Sequence, residues 1–291
     1  MEQRNMNIKL SFLMMTSKIT HFMYCPLTGL GLYGGHRGSR WLRNRIQIFK
    51  QFVVPSLQAQ TSKNFTLWIS VRHQDRYDSL IRGLKEYMGT IQEFPTVFTH
   101  SGVCFWDDKF PDAEAQNRLA SSIQGSVGEL LSVMDTSSDF TYMTIQPSDD
   151  LYHREFVEQV QKMFLTTDFQ AIGFRNGYVA NYKTLEVAAW NPTTIPPFFT
   201  IKFPTPVFID PFKHMEFTGM YKSHENIADK LKFGFIEQRG FVVGTHSDNI
   251  STTFDHPFKG AKCFTDVLNS FGLSGIKKLE IPFSLRREIF H

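Results

Sequence analysis

From residue 3 to residue 74 the chain contains no aspartate and no glutamate, although 28 acidic residues occur in its 291 positions. Arg4, Lys9, Lys18, Arg37, Arg40, Arg43, Arg45, Lys50, Lys63 and Arg72 all fall in that stretch. A run of one sign predicts a positive half-site for an anion, a nucleotide diphosphate or a nucleic acid, with a solvated basic surface as the plain alternative. Cysteine is scarce as well. Cys25, Cys104 and Cys263 are odd in number and widely spaced, which excludes a disulfide framework and a zinc knuckle. Long apolar runs are missing: SFLMM near the start is far shorter than the roughly 18 residues that cross a bilayer, and it lacks a signal-peptide cleavage site. A cytoplasmic protein is therefore expected. There is no repeat of 20–50 residues, no low-complexity linker and no GK[ST] phosphate loop.

What is present is alternation. KITHFMYC (18–25), FTLWISV (65–71), PTVFTH (95–100) and FTYMTI (140–145) read as strands. Between them, Trp41, Leu42, Ile46, Phe49, Phe52, Val53 and Leu57, then Leu80, Leu84 and Met88, then Leu119, Ile123, Val127, Leu131 and Met134 recur at helical spacing. A further helix through Phe156, Val157, Val160, Met163 and Phe164 leads to the strand FQAIGF. This order predicts an α/β fold with a mostly parallel sheet and helices on both faces. From Gly177 onward, short strand-like pieces (YVANY, TLEVAAW, FFTIKF) are broken by Asn191-Pro192 and Pro196-Pro197, and only 225–232 and 261–271 look helical. Residues 1–174 are thus expected to form one half of a single domain, and 175–291 an irregular half covering the sheet edge.

Ligands of open parallel sheets bind beyond the carboxyl ends of the strands. The segment Pro147-Ser148-Asp149-Asp150 stands at such an end. Two adjacent carboxylates repel each other, and a hard divalent cation bridging them to phosphate oxygens relieves that repulsion. The competing reading makes Ser148 and the aspartates helix caps. His246, in the loop THSDN after GFVVG, is a candidate imidazole ligand for the same cation, or an ordinary surface histidine. Glu225, opening a short helix, is either a proton acceptor for an attacking hydroxyl or a first-turn acid facing the helix dipole.

Taken in order, strand, PSDD, helix, a helix opened by HE and a strand ending in TH resemble the GT-A glycosyltransferases, in particular the family-2 type and the rhamnosyltransferase group. RIQIFKQFVVPSLQAQTSKNFTLWISVR (45–72) is similar to that group's N-terminal segment, and VCFWDDKF (103–110) and HSDNIS (246–251) add to the likeness, which extends from about residue 18 to about residue 270. The resemblance implies a nucleotide-sugar donor bound by the first half, Mn²⁺ or Mg²⁺ held by the aspartate motif, and a hydroxyl-bearing acceptor bound by the second half. Residue by residue it makes Asp149 the metal-binding acid, Asp150 its neighbour on metal or donor, His246 a metal ligand and Glu225 the catalytic base. Arg40, Arg43 and Arg45 would meet the diphosphate, and Asp107 or Asp108 would assist the nucleotide. One departure stands out: the first aspartate of a standard DxD falls on Pro147, which leaves the site a carboxylate short.

Two rivals fit less well. The run Gly29-Leu30-Gly31-Leu32-Tyr33-Gly34 follows a strand as a dinucleotide fingerprint does, yet the next helix starts near Arg40 and no acid follows about 20 residues on. A nucleic-acid binder, or a transferase whose acceptor is nucleic acid, suits the basic half, whereas Asp107, Asp108, Asp149 and Asp150 oppose a polyanion.

Overall fold

A computed structural model of the protein describes residues 19–28, 38–103, 112–218, 224–246, 249, 254 and 264–280. In chain order it runs β1 (Thr20–Pro26), α1 (Ser39–Ile48), a π-helical stretch (Phe49–Val53) leading straight into α2 (Val54–Gln58), β2 (Thr66–Ser70), α3 (Ser79–Met88), β3 (Thr96–Thr99), α4 (Asp112–Leu130) and β4 (Phe140–Ile145). It continues through β5 (Leu151–Tyr152), α5 (Phe156–Thr166), β6 (Ala171–Phe174), β7 (Gly177–Asn181), β8 (Glu186–Trp190) and β9 (Phe199–Pro204). After these come α6 (Thr205–Ile209), α7 (Pro211–Thr218), a short 3-10 helix (His224–Asp229), β10 (Phe233–Ile236), β11 (Phe241–Thr245) and α8 (Phe264–Asn269).

Strand side chains alternate between faces, so a strand covered on both sides sends apolar residues to both. β1 obeys this: Phe22 and Tyr24 enter one apolar layer, Met23 and Cys25 the other. β2 divides in the same way, Leu67 and Ile69 opposite Trp68. One layer is completed by α1, the π-helical stretch, α3 and α5 through Trp41, Leu42, Phe52, Leu84 and Phe156. The other is completed by α4, α6 and α7 through Leu119, Ile123, Phe208 and Met215.

The main sheet has seven strands in the order β10-β6-β9-β4-β1-β2-β3. All neighbours are parallel except β9, which runs antiparallel to both β4 and β6. Because β2 and β3 extend to one side of β1 and β4 returns to the other, the strand order reverses between β1 and β4. That is the topological switch point at which such sheets open a crevice. A second sheet, β5-β11-β7-β8, lies beside it.

The mostly parallel sheet flanked by helices agrees with the sequence. The second half carries more regular structure than expected: β9 and β10 join β6 in completing the main sheet, and β7, β8 and β11 build a second sheet with β5. The division at residues 174 and 175 falls between β6 and β7, and strands from both sides of it share the main sheet. The strand-like FFTIKF becomes β9, and two short helices follow it directly. Gly29–Gly34, Asp107 and Asp108 lie outside the described residues. Among those residues no helix is long and apolar enough to cross a membrane.

Candidate functional site

The PSDD segment forms a link from β4 to β5, and the helix expected immediately after it opens only at Phe156, with Glu155 at its cap position. Capping is therefore not the role of Asp149 and Asp150. Gln146 closes the link from within: its side-chain amide donates to the carbonyls of Pro147 and Asp150, both at 2.9 Å. Tyr152 donates its hydroxyl to the Ile145 carbonyl at 2.6 Å, and Tyr182 donates to the Asp149 carbonyl at 2.8 Å. Tyr182 is itself held against the π-helical stretch, its ring stacked on Phe52 with centroids 3.8 Å apart. That stretch widens the helix just before Pro55, whose missing N–H and ring are incompatible with an ordinary α-helical bond to the preceding turn.

Held this way, Asp149 meets residues from two remote parts of the chain. Its Oδ2 accepts from Arg45 Nη1, from His246 Nε2 at 3.1 Å and from Asn249 Nδ2 at 3.5 Å. Arg45 comes from α1, the first helix after β1, and its guanidinium lies 5.2 Å from the ring of Trp41 one turn earlier. His246 follows β11, and its backbone N–H donates to Asn249 Oδ1 at 2.7 Å, while Asn249 Nδ2 also donates to Gly244 O at 2.6 Å. The side chains of Arg45, Asp149 and His246 are only 5%, 14% and 2% exposed, so the pair is shielded from solvent screening.

The two neighbouring carboxyls diverge. Burial works to raise Asp149, but the Arg45 guanidinium and the His246 hydrogen bond and charge outweigh it and hold the group at about 2. Asp150 is pushed well above the usual carboxylate range by burial and by the Asp149 charge. Its Oδ1 accepts from the Gly244 backbone N–H at 2.9 Å, so this carboxyl ties the link to β11. Burial and the Asp149 charge also raise the Cys25 thiol, leaving an unreactive core sulfur.

The other expected residues distribute differently. Arg40 and Arg43 are exposed on α1 and do not share the buried position of Arg45. Much of the basic N-terminal stretch is engaged internally: Arg72 forks onto both oxygens of Asp75, Lys63 caps the carbonyls of Gln58 and Gln60, and Lys50 lies 4.4 Å from the Tyr87 ring. Glu225 is not brought into contact with Asp149. It is exposed, accepts from Thr194 Oγ1 at 2.9 Å, and lines a cavity of about 330 Å³ with Arg175, Asp229 and Phe235. Neither Asp149, Arg45 nor His246 borders that cavity.

The cavity nevertheless opens on the same rim. Arg175 follows β6, and the Thr193–Pro196 segment precedes β9, whose reversed direction brings its start level with the carboxyl ends of β4 and β6. Two strand spacings separate those ends, roughly 10 Å. Gln146, Tyr182 and Asn249 were not singled out in the sequence for a role here. Of these only Asn249 carried a signal, as part of HSDNIS.

As a cage for a divalent cation these residues do not fit as folded. Asp149 Oδ2 already takes a guanidinium, Asp150 is turned to β11, and Pro147 supplies no side-chain oxygen. Among the described residues no group of three or more His, Cys, Asp or Glu could hold a metal ion.

The family model described as "Putative rhamnosyl transferase" matches residues 38–95. The resemblance is to the rhamnosyltransferase group. The matched segment is about a fifth of the chain, running from the start of α1 to just before β3, and it includes Arg45 but not Asp149, Glu225 or His246. It supports a glycosyltransferase. No curated protein matches the sequence.

Among solved structures, a Staphylococcus aureus TarS fragment in complex with UDP-GlcNAc is similar at 10% identity and a TM-score of 0.42, covering 87% of this chain and 65% of that one. HddC from Yersinia pseudotuberculosis follows at 9% identity and 0.38, covering 77% and 92%. Mouse xyloside xylosyltransferase 1 stands at 8% identity and 0.35, covering 76% and 84%. The chain spans 60–65% of the length of the TarS fragment. At these scores the structural likenesses carry no argument about activity.

Proposed function

We propose that the protein is a glycosyltransferase that moves a sugar from a nucleotide-sugar donor to a hydroxyl acceptor by direct displacement with inversion. Support comes from one observation above the others: Arg45 after β1, Asp149 after β4 and His246 after β11 converge at the point where the strand order reverses. A crevice there suits a diphosphate, and the segment that supplies Arg45 is the one the rhamnosyltransferase family model matches.

The chemistry divides between the two parts of the rim. Breaking a glycosyl–diphosphate bond leaves charge on the departing oxygens, and fixed positive groups lower that barrier because they need not reorganise as the bond breaks. Arg45, fixed by Asp149 and Trp41, is such a group, with Arg40 and Arg43 exposed on the same helix. On the acceptor side, Glu225 faces the cavity and takes the proton from the attacking hydroxyl. Thr194 and Asp229 are placed to orient the remaining hydroxyls, and Phe235, covered by Arg175 at 4.1 Å, forms an apolar wall. The metal assistance implied by the resemblance would require Asp149 to exchange Arg45 for a cation, and no step here depends on it.

Nothing in the family match favours the nucleic-acid alternative. The deciding experiment is thermal stabilisation of the full chain by a panel of nucleotide sugars and nucleoside diphosphates, followed by product analysis with the best donor. Stabilisation by none of them, with steep salt-dependent binding of DNA or RNA instead, would overturn the transferase.

A further inference from the structure

Beside Asp149 there is unused hydrogen-bonding capacity on nitrogen. Arg45 Nε, on the guanidinium that meets Asp149, is buried without a partner among the described residues, and so is Asn44 Nδ2 on the preceding residue. A cation site needs spare oxygen acceptors, whereas an anion site needs spare N–H donors.

The wiring points the same way. A carboxylate oxygen has about two lone pairs, and Asp149 Oδ2 already faces Arg45, His246 and Asn249. Asp150 Oδ1 is engaged with β11 through Gly244. Arg45 is not a mobile surface side chain that could swing aside, for it is 5% exposed and seated on Trp41. A divalent ion entering here would stand beside a buried guanidinium of like charge.

From this arrangement we infer that Arg45 is the resident cation of the donor site, and that the protein binds a nucleoside diphosphate without a divalent metal. The inference rests on the donor-site reading of the β1/β4 crevice. Asp149 and Trp41 then act as positioning residues that hold the guanidinium, and the exposed Arg40 and Arg43 balance the remaining diphosphate charge.

The test is titration calorimetry of the full-length protein with UDP, GDP and dTDP, in EDTA and in millimolar Mn²⁺. Manganese electron paramagnetic resonance on the same samples reads any bound ion directly. The expected result is a Kd that agrees within about twofold between the two buffers, with no protein-bound Mn²⁺ signal. Arg45→Ala, checked for folding by circular dichroism, should lose about tenfold or more in affinity in EDTA, as loss of a charge-assisted contact implies. It should regain part of that in Mn²⁺.

Binding that appears only with Mn²⁺, or tightens about tenfold with it, would overturn the metal-free site while leaving the donor site standing. Undiminished binding by folded Arg45→Ala would overturn the role of Arg45. No binding of any nucleoside diphosphate in either buffer would overturn the donor site and the inference together. Should Arg45→Ala fail to fold, the wild-type comparison of the two buffers still decides the metal.

Discussion

The two ends of the proposed site are built on opposite principles. At Asp149 a guanidinium, an imidazole and an amide converge on one buried oxygen, and backbone and tyrosine hydrogen bonds fix the link that carries it. At Glu225 the side chain is exposed, accepts from Thr194 Oγ1, and borders an open cavity. Charge in a dry, fixed frame acts strongly on a ligand of constant chemistry such as a diphosphate. An exposed wall accommodates partners that vary. Mutation should therefore separate folding from turnover, according to the end that is touched.

The largest effect is expected from Asp149→Ala, which strands the Arg45 guanidinium without its counter-charge. Removing one partner of a buried pair costs about 3–5 kcal/mol, readable as a lower urea midpoint, and donor-dependent stabilisation should vanish with it. Glu225→Gln is the opposite probe. It should leave the urea midpoint unchanged and nucleoside diphosphate affinity intact, yet reduce turnover by about 10²–10⁴-fold, the range for losing a general base. A fully active Glu225→Gln protein would place the proton acceptor elsewhere.

Next in size is Gly244→Ala. A Cβ at that position would stand 2.3 Å from the Asp149 carbonyl and 2.3 Å from the Tyr182 ring. Relief requires the Asp149 link to move, at about 1–3 kcal/mol of overpacking, and nucleoside diphosphate affinity should fall with stability. Movement in only one of the two measurements would show that the link and the donor site are not one unit.

The smallest effect concerns the neighbouring acids, whose titrations run in opposite senses. Asp149 is held at about 2, below the ordinary 3.8, so its contribution is full above that value and drains away as pH falls through 2. Asp150 is raised, so the fold favours its protonated form, and its cost grows as pH climbs past 3.8. Asp150→Asn should thus be modestly stabilising at pH 7 and neutral at pH 3 in urea titrations. A loss at pH 7 that shrinks at pH 3 would mean that Asp150 is ionised in the fold.

Much of this architecture was legible. β1, β2 and β4 are covered on both faces, so each shows consecutive apolar residues in the sequence, Phe22 to Cys25, Leu67 to Ile69, and Tyr142 with Met143. The arginine facing inward was also available from helical spacing: Arg45 lies four residues after buried Trp41, while Arg40 and Arg43 fall on the other side of α1. The insertion of β9 between β4 and β6 was hidden, because its pairing partners are remote in the chain and its own pattern, FTIKFP, is the same for either direction. β10 was missed because four residues, FGFI, follow a segment that reads as a helix. The divergence of Asp149 and Asp150 was equally hidden, since it depends on which of them meets β11.

The reversed course of β9 sets what can be exchanged in this molecule. In a purely parallel sheet every loop at the functional rim is the exit of a strand and the entrance of a helix, bound to both. Here Thr193–Pro196 is the entrance of a strand, wedged between two exits. Its length and composition can change without pulling on the PSDD link or on α1. For the proposed transferase, that would let the acceptor side be retailored while the nucleotide side is inherited intact.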